Sequence, residues 1–141
     1  MKAHFLLADS AQAISGKLYL LGGGWSIIGP APTPMAVAGI IEVPWEEANR
    51  KHKVRFELVD EDGHAVMVPT PTGDRPVEVI AEFEVGRPPG TKAGAPFNVP
   101  VAMNLGALPL APDRRFVWRA SINGETKEAW RLPFSTRPTT G

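Results

Sequence analysis

Apolar and polar residues alternate along most of this chain. In residues 77–85 the odd positions are apolar, and three of the four even ones are Glu78, Glu82 and Glu84. Every odd position of residues 97–105 is apolar. Residues 53–58 put Val54, Phe56 and Leu58 between Lys53, Arg55 and Glu57. Residues 115–122 set Phe116, Trp118, Ala120 and Ile122 on one side, and Trp130, Leu132 and Phe134 share a side near the end. A period of two places one set of side chains on a core and the other in water, the pattern of a half-buried strand.

Two earlier segments are more continuously apolar. Residues 17–28 contain Leu18, Tyr19, Leu20 and Leu21, then Gly22-Gly23-Gly24-Trp25; residues 35–43 contain Val37, Ile40, Ile41 and Val43. Both are expected to be central strands covered on two faces. The start, residues 1–9 with the uninterrupted apolar part Phe5 to Ala8, reads as a first strand ended by Asp9.

Turn signals separate these runs. Asp60-Glu61-Asp62-Gly63 and Asn123-Gly124 are hairpin turns, because glycine supplies the positive φ they need. Residues 69–75 and 86–95 read as longer loops, and Gly29 to Pro34 as a linker. One helical candidate covers residues 44–51, with Pro44 and two glutamates at its start and Arg50 and Lys51 at its end. Pro100 cannot donate to a ladder, so the strand that holds it belongs at an edge or at a bulge.

Short strands between turns predict an all-β fold. The expected architecture is an antiparallel two-sheet β-sandwich, immunoglobulin-like or jelly-roll-like, with about eight strands and one short connector helix. A closed barrel is the alternative. One domain over residues 1–135 and a flexible tail at 136–141 complete the expectation. The chain has 141 residues, and a domain of this size hides roughly 68% of its unfolded surface, enough for a core without staples. Fifteen prolines and 14 glycines argue against a helical bundle, and 43% hydrophobic residues argue against disorder.

Composition also narrows the chemistry. Fifteen basic residues balance 15 acidic ones, so no basic excess points to nucleic acid. With no cysteine, disulfides, thiolate catalysis and cysteine metal sites are excluded. The apolar start is broken by Asp9, too soon for a signal peptide, and no run has the length of a membrane helix. A cytoplasmic protein is expected.

The opening Leu6-Leu7-Ala8-Asp9-Ser10-Ala11-Gln12, followed by residues 16–25 (GKLYLLGGGW), resembles a family of small uncharacterised bacterial proteins, a domain of unknown function. The resemblance covers about the first half of the chain and includes Val43-Pro44-Trp45 and the hairpin at 58–63. It implies a bacterial, intracellular, stand-alone domain and brings no activity, ligand or catalytic residue. The second half resembles, generically, the last hairpin of immunoglobulin-like sandwiches.

Each candidate site competes with a structural reading. Gly22-Gly23-Gly24 opens no helix and lacks the Lys-Ser or Lys-Thr pair of a phosphate loop, so it reads as a kink where Trp25 packs, or a backbone surface for a partner. Asp60 and Asp62, with Asp113 or Asp74, could gather a hard cation, but Gly63 already explains the segment as a turn. His4, His52 and His64 have no zinc spacing and read as exposed or edge residues. Asp9-Ser10 with His4, and Ser26 with His64, can be written as nucleophilic sets, but no Gly-x-Ser-x-Gly elbow is present. Basic residues 50–55, with Arg50 and Lys51 as candidate partner contacts, could form a patch for a phosphate or an acidic partner, but read better as a solvated sheet face paired with nearby glutamates. Trp118 and Trp130 fall on inward faces, which leaves Trp45 as the tryptophan expected to contact a partner.

These observations point to a non-enzymatic interaction or structural module with no cofactor and no catalytic residue. Its expected partner is itself, as a homo-oligomer, or another protein, with neither nucleic acid nor membrane. The alternatives are a sugar- or calcium-dependent binding module using the acidic hairpin, and a small hydrolase.

Overall fold

The computed structural model describes residues 1–139. Its twelve strands are β1 (Lys2–Ala8), β2 (Ser10–Ile14), β3 (Lys17–Leu21), β4 (Ile27–Ile28), β5 (Met35–Val43), β6 (Lys51–Asp60), β7 (Met67–Thr70), β8 (Gly73–Pro76), β9 (Glu78–Glu84), β10 (Phe97–Leu105), β11 (Arg115–Ile122) and β12 (Glu125–Thr136). The fold is all-β, as the alternation predicts. It divides into a three-stranded sheet β1-β5-β10, a five-stranded sheet β4-β12-β11-β6-β9, and two hairpins, β2-β3 and β7-β8. This is twelve strands in four sheets rather than about eight in two, and it is not wholly antiparallel, since β4 runs parallel to β12.

One core joins the two larger sheets. Phe5, Val37, Ile41 and Val101 from the smaller sheet meet Val54, Phe56, Leu58, Trp118, Ile122 and Trp130 from the larger. The Phe5 ring stands edge-on to Phe56 at 5.2 Å and to Trp130 at 6.4 Å. Trp118 and Trp130 are buried, as their strand positions require. Gly39 lies between Phe5 and Val101 in register, and a Cβ there would overlap the His4 carbonyl oxygen and the Phe5 ring. The missing side chain is what lets Phe5 cover the strand.

Several expectations hold in detail. β5 is central, with β1 and β10 on either side. β10 lies at the edge of its ladder, the position in a sheet where proline is tolerated. Asn123 and Gly124 both have positive φ and join β11 to β12, as a two-residue primed turn requires. At the acidic turn the Gly63 amide donates to the Asp60 carbonyl, and the chain returns to bridge Val59 through Ala65.

Others are corrected. Residues 17–28 do not form a central strand: β3 is half of a hairpin, and Gly22 and Gly24, at φ of +62° and +92°, end it. Residues 69–75 are no plain loop; most of them build the β7-β8 hairpin, an excursion from the strand that runs along β6. The connector helix over 44–51 shrinks to a 3-10 turn at Trp45–Glu47, because Pro44 and Ala48 are both extended and Asn49 takes φ +61°. Lys51 already belongs to β6. The expected tail starts late: Thr136 is buried in β12 and accepts the Arg114 amide at its hydroxyl, and the Arg137 amide donates to Ile28. Residues 140 and 141 of that expected tail lie outside the described residues.

Candidate interaction surface

The β2-β3 hairpin is built by the sequence AQAI-SG-KLYLL. Ser15 and Gly16 take φ of 51° and 74°, a two-residue primed turn, and fix the register Ile14↔Lys17, Gln12↔Tyr19 and Ser10↔Leu21. Side chains then alternate between two faces. Ala11, Leu18 and Leu20 face the outer side of the three-stranded sheet, where they pack with Leu6, Ala8, Ala36, Ala38 and Ala102. The seat is almost all alanine, so the two layers approach closely. Asn104 fastens them: its Oδ1 accepts the Ala11 amide at 3.1 Å and its Nδ2 donates to the Ala11 carbonyl at 2.8 Å.

The other face of the hairpin has no cover. Ile14 is 49% exposed, Tyr19 52% and Leu21 71%. With Gln12 and Asn104 they line an open hollow of about 650 Å³. Beyond Leu21 the glycine run turns the chain back to the end of β1: the Asp9 amide donates to Leu21 and Gly22, and the Gly24 amide donates to Leu7 at 2.7 Å. Gly22, Gly23 and Gly24 are exposed and border a second hollow with Asp9, Trp25 and Arg137. The Trp25 ring stands edge-on to Phe134 at 5.8 Å, so the kink and the packed tryptophan occur together.

The other expected contacts lie elsewhere. Trp45 follows the Val43 end of β5, whereas the hairpin sits over the Ala36 end. It is half-buried, stacked on Phe97 at 5.7 Å, with the Arg87 guanidinium 4.3 Å from its ring. Internal neighbours therefore occupy much of the surface it was expected to offer. Arg50 pairs with Glu47 at 3.3 Å, and Lys51 stands opposite Glu84 in register. Arg55 bonds Glu78 at 2.7 Å, and that bond holds its guanidinium above the ordinary arginine range against slight desolvation. Arg50 and Arg55 thus each have a carboxylate partner, and Lys51 and Lys53 stand exposed across from Glu84 and Glu82.

At the acidic turn, Asp60, Asp62 and His64 bring ligand-type atoms within 4.8 Å of one another; the grouping does not include Asp113 or Asp74. Asp60 Oδ1 is already occupied by the amides of Asp62 and His64, both at 2.9 Å. Asp113 sits apart, its amide donating to the Arg137 carbonyl, with φ +54°. His4 and His64 are exposed, but His52 corrects the expectation of an edge histidine, being 3% exposed. Its Nε2 donates to the Glu47 carbonyl at 2.8 Å, and Asn123 Nδ2 donates to its Nδ1 at 2.9 Å. The ring ties the 3-10 turn to the Asn123-Gly124 hairpin. Ser10 is paired in β2 and His4 in β1, and among the described residues no serine hydroxyl bonds a histidine ring.

Ile14, Tyr19, Leu21 and Asn104 were not among the candidates from sequence. The missed signal is the Ser15-Gly16 dipeptide between two five-residue runs, a turn signature hidden inside an apolar stretch.

Among the described residues no helix is long and apolar enough to cross a membrane. A family model described as a family of unknown function, DUF6941, matches residues 3–135. No curated protein matches the chain, and no solved structure does.

Proposed function

We propose, for a chain that belongs to the DUF6941 family and inherits no activity from it, a non-enzymatic interaction module that associates through the outer face of its β2-β3 hairpin. The observation that carries this reading is the cluster of Ile14, Tyr19 and Leu21, all exposed on one side of a two-stranded ribbon. Large side chains standing in water on one contiguous face gain when a partner covers them, at about 25 cal/mol per Å² of apolar area. Gly22 to Gly24 extend the same surface with bare backbone. The acidic turn supports a cation site less well, because Asp60 already serves the turn itself.

The test is light scattering at micromolar concentration. The wild type is expected to show a mass above that of one chain, and the double variant Tyr19→Glu/Leu21→Glu to fall to one chain with its melting temperature little changed. A wild type that stays monomeric removes the self-association; a double variant that associates like the wild type moves the contact away from the hairpin.

A further inference from the structure

Every exposed strand edge invites pairing, so proteins usually guard their edges with charge, proline or cover. Several free edges carry such guards. β9 carries Glu78, Glu82 and Glu84, all exposed, so a second copy paired there brings carboxylates together. The β7-β8 hairpin carries Pro69 and Pro76. β10 carries Pro100 and is fastened to β2 through Asn104. β3 has none of these: it pairs only with β2, contains no proline, and holds a single charge, Lys17, at its end.

The geometry of the hairpin says which groups face outward. In a two-residue hairpin the residues beside the turn exchange both backbone bonds, and the pattern alternates from there. Lys17, Tyr19 and Leu21 therefore spend their amides and carbonyls on β2. The Asp9 amide bond to the Leu21 carbonyl agrees, since it shows that oxygen turned inward. Leu18 and Leu20 turn theirs to the free side.

We infer that β3 pairs antiparallel with β3 of a second copy, centred on Tyr19, an inference that rests on the interaction reading above. In this register Leu18 exchanges both backbone bonds with Leu20 of the other copy, and vice versa. Tyr19 meets its own counterpart at a non-hydrogen-bonded position, where side chains come closest. Lys17 falls opposite Leu21, so the two lysines stay apart and no like charges meet. The formal net charge of zero adds no long-range repulsion between copies. The product is a four-stranded ribbon, β2-β3-β3-β2, closed by a two-fold axis, in which one contact satisfies both partners and no open chain of copies grows.

The absence of cysteine makes a clean test. Tyr19→Cys places one thiol beside the axis, at a separation a disulfide spans. On air oxidation it is expected to give covalent dimer as the main species, much faster than Ile80→Cys on the guarded β9 edge, which serves as the exposed control. An equimolar mixture of Lys17→Cys and Leu21→Cys is expected to cross-link between the two variants, and each alone much less. If the wild type associates by light scattering but Tyr19→Cys cross-links no faster than Ile80→Cys, this register is overturned while the interaction reading stands. If the wild type is monomeric, self-association falls and this pairing falls with it, whatever the cross-linking rates.

Discussion

Where the β2-β3 hairpin covers it, the outer face of β5 is as dry as the inner face but lined by smaller residues. Met35, Val37, Ile41 and Val43 face the shared core, and Ala36 and Ala38 face the hairpin; none of the six is more than 2% exposed. On the inner face, large side chains remove much apolar area from water and interlock with Phe56, Trp118 and Trp130. On the outer face, alanines remove little area but let a second backbone come near. One strand thus separates two tasks. Its inner side holds the fold together, and its outer side carries a thin ribbon whose own large residues are left to the solvent.

That contrast breaks most readily on the inner side. Ile41→Ala empties a site with no exposure and is expected to cost about 2–5 kcal/mol, the range for large-to-small changes in cores. Urea denaturation read by tryptophan fluorescence checks it, because Trp118 and Trp130 report on the same core. A loss below about 1 kcal/mol would mean that the core collapses around the gap and that the inner face is not close-packed.

On the outer side the damage comes from adding volume. Ala38→Leu, opposite Leu6 and Ala102 in register, is expected to cost about 1–3 kcal/mol by overpacking. The hairpin should lift before the core opens, so hydrogen exchange at Ala11 and Tyr19 rises while exchange in β11 does not. Equal rises in both regions would show that the hairpin and the core unfold as one unit. Asn104→Ala is milder. It removes two bonds to Ala11 at a partly wet site, and about 1 kcal/mol is expected. Its mark is local too: faster exchange at the Ala11 amide and weaker association by light scattering.

How much of this was legible follows from what each residue had to decide. Strands with one wet face declared themselves by alternation: 97–105, 115–122 and the Trp130 strand all stand where their pattern put them. The Asn123-Gly124 turn did the same through its backbone demands. β3 misled because Leu18, Tyr19, Leu20 and Leu21 are apolar on both faces. Such a run reads as a strand buried on two sides, and only the seat of alanines, distant in sequence, shows that one face is covered and the other bare. His52 misled for a related reason. Its partners, Glu47 and Asn123, lie 5 and 71 residues away, and the longer separation leaves no periodic trace. The candidate surface was therefore visible only at its rim, in Gly22 to Gly24, while its centre at Tyr19 was hidden among core-like residues.

The smallest expected effect sharpens the contrast between the two edges that remain. Glu78 lies on β9 and accepts from Arg55, which also reaches Glu57 at 3.1 Å. Arg55 is 43% exposed at its side chain, so solvent screens the pair, and Glu78→Gln is expected to cost about 0.2–1 kcal/mol and less in high salt. Because the pairing raises the Arg55 pKa, its contribution is complete below the unfolded arginine pKa and is lost only as pH rises through the still higher folded value. No loss from this arginine is expected across neutral and mildly basic conditions. Association should not change either, since the carboxylate guards an edge that takes no partner. Should Glu78→Gln raise the scattering mass, the guard was holding back a real pairing at β9, and the division between a closed acidic edge and an open apolar one would have to be redrawn.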